Sequence, residues 1–488
     1  MGTPDHSYST ATELIAAMDA GEVSAVELTQ AAIDRIEQYD APINAISVRD
    51  FDRALAAARE ADAVRARGET RPLLGVPITI KDSFNVAGLP TTWGIPPFKD
   101  FIPTEDAVAV ARLRAAGAVI LGKTNVPFAL GDLQTYNAIY GTTNNPWDLT
   151  RTPGGSSGGS AAALAAGFGA LSVGSDIAGS LRIPAHFTGV YAHKSSFRLL
   201  PSRGHSAPPA PPLAYDRDLT VIGPMARSAG DLSLMLDLLA APDETGIGIA
   251  HRLDLRPARH TTLADHRILV VDTHPLIPTS DEIRCAIDGL ASELTAAGAR
   301  VVRRTDLLPD LVEAARLYMR LLLASITATS PHEAYERARA AADRVAPEDL
   351  SLAAERARGA VLSYRDWVAA DTARTRHSAQ WRALFTGYDI VVTPSAPTTA
   401  FAHDQSPDQW ARTISIDGAD HDYADQLVWA GLATAPGLPA TVAPIGRSAE
   451  GLPIGVQLVG PMFEDRTPLR FAELLEREFG GFTPPPAF

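Results

Sequence analysis

Two serines and one lysine stand in segments whose composition suits nucleophilic catalysis. Lys81 ends the apolar run GVPITIK, Ser156 lies in the glycine-rich stretch PGGSSGGS, and Ser180 ends the turn-like segment SDIAGS. A serine hydroxyl is a poor nucleophile at its ordinary pKa, so it needs a base that removes its proton. Lys81 is the candidate, provided that burial keeps its amine neutral. We expect Asp82 to point away, because a facing carboxylate would keep that amine charged.

The order of these segments resembles the amidase signature family, whose members are amide hydrolases with a Ser-Ser-Lys triad. In that family a lysine follows a GVP-x-x-x-K-D segment, a serine follows PGG, and the nucleophilic serine ends a D-x-G-G-S run. The matching segments here contain all three residues in the same order. The dense match spans about residues 75–227, and weaker family-like stretches lie at 389–397 and 452–467.

The resemblance implies a role for each triad residue. Ser180 is the expected nucleophile, Lys81 the base and Ser156 the proton bridge between them. A cis peptide bond is expected between Gly155 and Ser156, and Ser157 is expected to be a supporting hydrogen-bond donor. The implied reaction is hydrolysis of a carbon–nitrogen amide bond through an acyl-serine intermediate, giving a carboxylate and an amine or ammonia. No cofactor is implied.

The turn before the nucleophile is the expected oxyanion hole, because converging backbone N–H groups stabilise the negative charge that develops on the substrate oxygen. Its expected donors are the N–H groups of Ile177, Ala178, Gly179 and Ser180. Asp176 and Arg182 are expected to support this turn. Ala178 stands where most family members have glycine, so the turn requires a negative φ at that residue.

Six further residues are expected to line the substrate pocket, by analogy with family segments: Trp93, Leu130, Asp132, Gln134, Tyr136 and Trp429. Their aromatic and apolar character favours a medium-sized apolar, aryl or cyclic amide. The segment YAHKSSF at residues 191–197 replaces the family pattern G-x-K-P-T/S-x-G. The loss of the proline and glycine leaves the shape of this neighbouring loop open.

The succession of apolar segments predicts an α/β fold. The run that leads to Lys81 is typical of a buried strand, and a helix and a second strand follow over residues 106–122. Another strand–helix–strand succession over residues 267–303 indicates crossover helices on a parallel sheet. With the resemblance, we expect one α/β/α domain over residues 1–488. Its central twisted sheet should be mixed and largely parallel, with a helical cover near residues 311–384.

Charge and composition disfavour several classes of function. The formal net charge is −14 and no run of Lys and Arg is present, which argues against a nucleic-acid partner. No stretch approaches the roughly 20 apolar residues that span a bilayer, so no membrane partner is expected. No secretory pattern opens the chain, and no His, Cys or Asp spacing indicates a metal site. We therefore expect a cytoplasmic homodimer that needs only its amide substrate and water.

Two other catalytic arrangements fit parts of the sequence. The segment GGSSG also matches the G-x-S-x-G nucleophile elbow, but that elbow needs a buried strand directly before it. Residues 144–153 contain two prolines and do not predict such a strand. His186, His193 or His205 could serve as the base, yet a Ser-His triad leaves the lysine without a role.

Two other functions are compatible with the triad residues. The glutaminase-type subunit of a tRNA-dependent amidotransferase shares the triad but works with partner subunits, and the altered segment 191–197 disfavours it. A catalytically inactive scaffold with the same fold is the second alternative. The presence of every triad residue type argues against that scaffold.

Overall fold

An eleven-stranded sheet forms the centre of the computed structural model, which describes residues 5–212, 216–245 and 247–488. Its α-helices, in chain order, are α1 (Ala11–Asp19), α2 (Ala25–Ile43), α3 (Phe51–Ala66), α4 (Val108–Ala115), α5 (Gly158–Ala165), α6 (Arg182–Thr188), α7 (Ala229–Leu239), α8 (Asp281–Ala296), α9 (Leu311–Thr327), α10 (His332–Ala342), α11 (Leu352–Gly359), α12 (Tyr364–Gly387), α13 (Leu427–Thr434) and α14 (Arg466–Phe479).

The strands come from both halves of the chain. They are β1 (Ile46–Arg49), β2 (Pro77–Lys81), β3 (Val119–Thr124), β4 (Tyr136–Asn137), β5 (Gly141–Thr142), β6 (Leu171–Asp176), β7 (Tyr191–Lys194), β8 (Val221–Ala226), β9 (Arg267–Val270), β10 (Arg300–Val302), β11 (Ile390–Pro394), β12 (Thr413–Ile416), β13 (Ala419–Asp422), β14 (Ala440–Arg447) and β15 (Pro453–Val459). The large sheet has the order β1-β3-β2-β6-β8-β7-β14-β15-β11-β9-β10, while β4–β5 and β12–β13 form separate pairs.

The direction of the strands changes across the large sheet. Strands β3, β2 and β6 are parallel neighbours, and so are β11, β9 and β10. Every neighbouring pair from β6 through β8, β7, β14 and β15 to β11 is antiparallel. The sheet is mixed, as expected, but the expectation that it is largely parallel is wrong. Residues 448–452, which join β14 to β15, are too few for the crossover that a parallel pair requires.

Helices cover the sheet by burying apolar stripes. In α8 the buried positions Ile283, Ile287, Leu290 and Leu294 recur at helical spacing. Every residue of β2, β6 and β8 is buried, as expected for strands with both faces covered. Helices α9 to α12 lie where the sequence predicts a helical cover, near residues 311–384, and helix α9 packs against α11, α12 and α13.

None of the helices in residues 5–212, 216–245 and 247–488 is both long and apolar enough to cross a bilayer. Over the same residues, no group of three or more His, Cys, Asp or Glu side chains is arranged to hold a metal ion.

The parallel pairing of β2 and β6 determines where the catalytic candidates meet. Lys81 is the last residue of β2, and Ser175 and Asp176 are the last residues of β6. Because parallel neighbours end at the same edge of a sheet, these side chains share one edge. Helix α5 begins at Gly158, directly after the serine-rich turn that faces this edge.

Candidate active site

The amine of Lys81 lies among three serine hydroxyls in the interior of the protein. The side chain is fully buried. Its Nζ lies 2.8 Å from Ser156 Oγ, 2.9 Å from Ser157 Oγ and 3.0 Å from Ser175 Oγ. Ser156 and Ser157 belong to the glycine-rich turn, whereas Ser175 belongs to β6. The site therefore depends on two separate segments meeting at the end of β2.

The hydrogen-bonding capacity of these groups is compatible with a neutral lysine that faces Ser156. A neutral amine has two N–H donors and one lone pair. Ser157 Oγ donates its own proton to the carbonyl oxygen of Ser175, at 3.3 Å, so toward Lys81 it can only accept. If Ser157 and the Ser175 hydroxyl accept the two N–H groups, the lone pair is left for the Ser156 hydroxyl. This arrangement suits removal of a proton from Ser156.

Burial lowers the pKa of Lys81 from 10.5 to about 7, although the negative charges of Asp176 and Asp82 act in the opposite direction. Asp82 turns its carboxylate away, as expected from the sequence. Its Oδ2 accepts the backbone N–H groups of Thr92 and Trp93, at 3.1 and 2.7 Å. The amine is therefore poised to exist as a free base near neutral pH.

The turn that carries Ser180 is organised by a buried ion pair. Asp176 accepts two hydrogen bonds from the Arg182 guanidinium, at 2.8 and 3.0 Å, and both side chains are almost completely buried. The same carboxylate accepts the backbone N–H groups of Gly179 and Leu181, at 2.9 and 3.0 Å. Burial alone would raise the pKa of Asp176, but Arg182 and these bonds hold that pKa at about 2.

One of the four expected oxyanion donors is already engaged. The N–H of Gly179 is donated to Asp176, so it is not free for a substrate. Within the described chain no acceptor contacts the N–H groups of Ile177, Ala178 and Ser180, and these three residues line the adjacent cavity. The positive φ of the turn, 90°, falls on Gly179 and not on Ala178. Ala178 therefore has the negative φ that a residue with a Cβ requires.

The glycine-rich turn is held close to the nucleophile turn. The peptide bond between Gly155 and Ser156 is cis, as the resemblance implies. A Cβ on Gly155 would lie 2.5 Å from the carbonyl oxygen of Asp132, so the packing requires glycine there. The N–H of Ser157 donates to the carbonyl oxygen of Ser180, at 3.1 Å. This bond keeps the two serine turns side by side.

A cavity opens beside Ser180. Its walls, in chain order, are Leu130, Gly131, Asp132, Leu133, Ile177, Ala178, Ser180, Leu322, Ile326, Gln409, Trp410, Tyr423, Ala424 and Leu427. Leu130 and Asp132 are the two predicted pocket residues among them. The walls combine the loop after β3, the nucleophile turn, helix α9 and the segment around β12 and β13.

The other four predicted pocket residues are not part of these walls. Tyr136 and Gln134 support them from outside: the Tyr136 hydroxyl donates to Asp132 at 3.1 Å, and the Gln134 side chain bonds the backbone of Asp404. Trp93 is buried and donates its indole N–H to the carbonyl oxygen of residue 83. Trp429 is completely buried, and the structure does not place it against the cavity.

Several residues of the site were not predicted. Ser175 could have been found, because it ends a buried strand directly before Asp176. Trp410, Tyr423 and Arg412 carry no local motif, and they reach the cavity region only through the β12–β13 hairpin and its flanking segments. Sequence spacing alone gives no signal for such distant neighbours.

The three histidines proposed as alternative bases are engaged elsewhere. His186 bonds the backbone of residues 398 and 455. His193 lies between Thr441 Oγ1, at 2.9 Å, and Asp465 Oδ1, at 3.0 Å. His205 packs between two aromatic rings. None of these contacts reaches the serines of the site.

The altered segment 191–197 has a defined structure. Its first half forms β7, and its second half is tied to Asp465, which accepts the N–H of Ser196 at 2.7 Å and its hydroxyl at 2.6 Å. His193 bonds the same carboxylate. These bonds hold the segment without the proline and glycine of the family pattern.

Comparison with known proteins gives consistent matches over nearly the whole chain. A family model described as Amidase matches residues 27–469. The chain is 34% identical over 486 residues to the A-subunit of the glutamyl-tRNA(Gln) amidotransferase of Roseiflexus sp. (strain RS-1), with 94% of each chain covered. It is 32% identical to the indoleacetamide hydrolase of Bradyrhizobium diazoefficiens, covering 96% of this chain and 86% of that protein. The chain also resembles a solved structure, which is described as a vestigial protein complex that reveals the evolutionary origins of an s-triazine catabolic enzyme. The two structures align with a TM-score of 0.80 at 30% sequence identity, and the alignment covers 96% of this chain and 98% of that chain.

Replacing Lys81 by methionine tests its role as the base. Lys81→Met keeps the length and burial of the side chain but removes the lone pair, so we expect kcat/KM for an amide substrate to fall by about 10³-fold or more. The thermal unfolding midpoint should stay close to that of the parent. Lys99→Met, at an exposed position, is the matched control and should leave both quantities unchanged. Loss of less than tenfold in Lys81→Met would exclude the lysine as the base.

The pKa of Lys81 also predicts the pH dependence of the reaction. Below a pKa of about 7 the amine is protonated and cannot accept a proton, whereas above it the free base predominates. We therefore expect kcat/KM to reach a plateau on the alkaline side and to fall about tenfold for each pH unit on the acid side. A profile measured with a substrate that does not titrate in this range checks the expectation. An inflection near the ordinary lysine pKa would contradict it.

The buried ion pair predicts a large loss of stability in one variant. Asp176→Asn leaves the buried Arg182 charge without its partner, which costs about 3–5 kcal/mol in the free energy of unfolding. Asp237→Asn removes one carboxylate from an exposed pair with Arg466 and should change that free energy by less than about 1 kcal/mol. Urea denaturation of both variants measures the difference. Equal stability of the two variants would show that the pair does not hold the turn.

Proposed function

The chain belongs to the amidase signature family and is a hydrolase acting on carbon–nitrogen bonds; we propose that it hydrolyses amides through an acyl intermediate on Ser180. The observation that carries the proposal is the buried Lys81 amine 2.8 Å from Ser156 Oγ. The hydrogen bond between Ser157 and Ser180 supports it, because it places the nucleophile turn beside this pair.

Acylation requires a relay of two protons. Ser180 Oγ attacks the carbonyl carbon of the amide while its proton passes to Ser156 Oγ, whose own proton passes to Lys81 Nζ. The N–H groups of Ile177 and Ala178 stabilise the developing oxyanion. When the carbon–nitrogen bond breaks, the leaving nitrogen takes back one proton by the same route, and an amine or ammonia departs.

Deacylation repeats the sequence with water as the nucleophile. The water oxygen attacks the acyl carbon, and one of its protons reaches Lys81 through the same hydroxyl groups. The bond between the acyl carbon and Ser180 Oγ then breaks, and the serine recovers its proton from the relay. The product leaves as a carboxylic acid that loses its remaining proton to the solvent and becomes a carboxylate, and the enzyme is regenerated without a cofactor.

The cavity beside Ser180 supports a medium-sized apolar or aryl acyl group as the substrate moiety. Apolar side chains form most of its wall, and a tryptophan and a tyrosine add aromatic surface: Leu133, Leu322, Ile326, Leu427, Trp410 and Tyr423. An acyl group is desolvated favourably against such walls. A cyclic amide with a similar apolar surface could pack against the same side chains.

The amidotransferase subunit is the second candidate, because one of the relatives described above carries that name at 34% identity. A glutaminase must bind the charged amino and carboxylate groups of glutamine. Among the described residues that line the cavity, Asp132 is the one charged side chain, and Arg412 already neutralises it. The cavity therefore favours the stand-alone hydrolase.

The expected homodimer and cytoplasmic location stay predictions. Size-exclusion chromatography with light scattering distinguishes a dimer from the 51.7 kDa single chain. The same preparation, with no other protein added, is the material for the activity assays.

Fluorophosphonate labelling tests the proposed nucleophile. The parent protein should acquire one phosphonyl group on the peptide that contains Ser180, Ser180→Ala should acquire none, and Lys81→Met should react at least about 100-fold more slowly. Peptide mass spectrometry locates the adduct. Absence of any adduct in the folded parent would favour an inactive scaffold, and an adduct on Ser156 would reassign the nucleophile.

A substrate panel separates the two candidate functions. The purified chain alone should hydrolyse 4-nitroanilides of apolar and aryl acids, and it should release little ammonia from glutamine. Efficient hydrolysis of glutamine with no hydrolysis of any anilide would overturn the proposal in favour of the glutaminase subunit.

A further inference from the structure

A carboxylate lies in the otherwise uncharged wall of the cavity beside Ser180. Asp132 Oδ2 accepts a hydrogen bond from the Arg412 guanidinium at 2.6 Å and from the Tyr136 hydroxyl at 3.1 Å. Its Oδ1 accepts the Tyr423 hydroxyl at 2.8 Å. Both carboxylate oxygens are thus engaged with protein donors, in a side chain that is only 7% exposed.

The guanidinium of Arg412 is equally occupied. One terminal nitrogen donates to the Tyr136 hydroxyl at 2.7 Å and to the carbonyl oxygen of Ser406 at 2.6 Å. The side chain is 2% exposed, and a second carboxylate, that of Asp404, lies 4.0 Å from Nε. Burial opposes its charge, but the bonds to Asp132 and Tyr136 raise the pKa of Arg412, so the guanidinium stays charged.

The pair also joins two walls of the cavity. Asp132 belongs to the loop after β3, while Arg412 directly precedes β12 and Tyr423 directly follows β13. Beside this junction, the Gln134 side chain bonds both backbone groups of Asp404. The charged pair is consequently held in one geometry, with Asp132 in the wall of the cavity that Ser180 also lines.

We propose that the Asp132–Arg412 pair is a charge filter that admits uncharged acyl groups and rejects acyl groups bearing a carboxylate or an ammonium. The inference rests on the proposed amide hydrolysis at Ser180. A carboxylate in the cavity would lie beside the Asp132 carboxylate and lose its water against apolar walls. An ammonium would lose its water against the same apolar walls and would meet an Asp132 carboxylate whose charge Arg412 already balances.

The filter depends on the balance between the Asp132 and Arg412 charges. Removing one of the two charges should therefore favour substrates that carry the same sign of charge as the group removed. In Asp132→Asn the Arg412 charge is left without its principal partner, so a substrate carboxylate would replace the missing charge. In Arg412→Gln the Asp132 charge is left instead, so a substrate ammonium would be favoured. The double variant Asp132→Asn/Arg412→Gln restores neutrality and should prefer uncharged substrates again.

Three 4-nitroanilides of similar length form the test: pentanoyl (uncharged), glutaryl (one carboxylate) and 5-aminopentanoyl (one ammonium). The parent should show kcat/KM for the pentanoyl compound at least about 100-fold above that for either charged compound. The ratio of glutaryl to pentanoyl should rise by about tenfold or more in Asp132→Asn, and the ratio of 5-aminopentanoyl to pentanoyl should rise similarly in Arg412→Gln. The double variant should return both ratios toward the parent values.

The controls separate the filter from general effects of charge and folding. Asp237→Asn and Arg466→Gln change net charge by the same amounts at an exposed ion pair and should leave both ratios unchanged. Ratios are insensitive to a fraction of unfolded enzyme, and circular dichroism monitors folding of each variant. If a single variant fails to fold, the parent ratios still decide, because a parent that accepts the glutaryl compound as readily as the pentanoyl compound overturns the filter.

The outcomes also distinguish this inference from the proposed function. Hydrolysis of all three anilides with unchanged ratios in both single variants overturns the filter but leaves acyl-Ser180 chemistry intact. Absence of hydrolysis together with absence of Ser180 labelling overturns the proposed function itself. Opposite shifts of the two ratios in the two single variants support the filter, because a merely structural role of the pair would not reverse sign.

Discussion

The site depends on a lysine amine that is removed from water without being given a carboxylate partner. Lys81 is completely buried, and its contacts are three hydroxyl groups. An ammonium in such a place would lack the solvation or ion pairing that stabilises its charge, so the neutral amine is favoured. Three features keep the Lys81 amine buried and without a carboxylate partner. Lys81 lies at the end of β2, every residue of that strand is buried, and Asp82 turns its carboxylate away. A base that is free near neutral pH is the result.

In the neighbouring ion pairs, buried side chains keep their charges because each charge has a partner. Asp176 and Arg182 are also inside the protein, but they bond each other twice and remain charged, and the carboxylate then orders the backbone on which Ser180 sits. Asp132 and Arg412 form a second buried ion pair, joined by one hydrogen bond, and its carboxylate lies in the cavity wall. Paired charges thus fix the geometry, while the unpaired amine of Lys81 carries the proposed chemistry. This contrast explains why the buried ionisable side chains of one site have different proposed roles.

The sequence predicted the parts of the site that lie in contiguous motifs. It placed Lys81 at a strand end and indicated the turn between Asp176 and Arg182, because glycine placement and an apolar run are local signals. It did not predict the occupied N–H of Gly179, which depends on how one carboxylate orients within its own turn. The antiparallel centre of the sheet was missed because strand pairing between distant segments has no local signature. Trp429 was assigned to a cavity from which the fold excludes it, since nothing local separates a wall residue from a core residue.

The protonation state of Lys81 can be measured directly. Lysine labelled with ¹³C at Cε gives one NMR resonance for each lysine, and the resonance that is lost in Lys81→Met belongs to this residue. We expect its chemical shift to titrate with a midpoint at a pKa of about 7 in the folded protein, because burial disfavours the ammonium. A resonance that keeps the ammonium shift up to about pH 10, near the ordinary lysine pKa, would contradict the account. In that case Lys81 could position Ser156 but could not accept its proton.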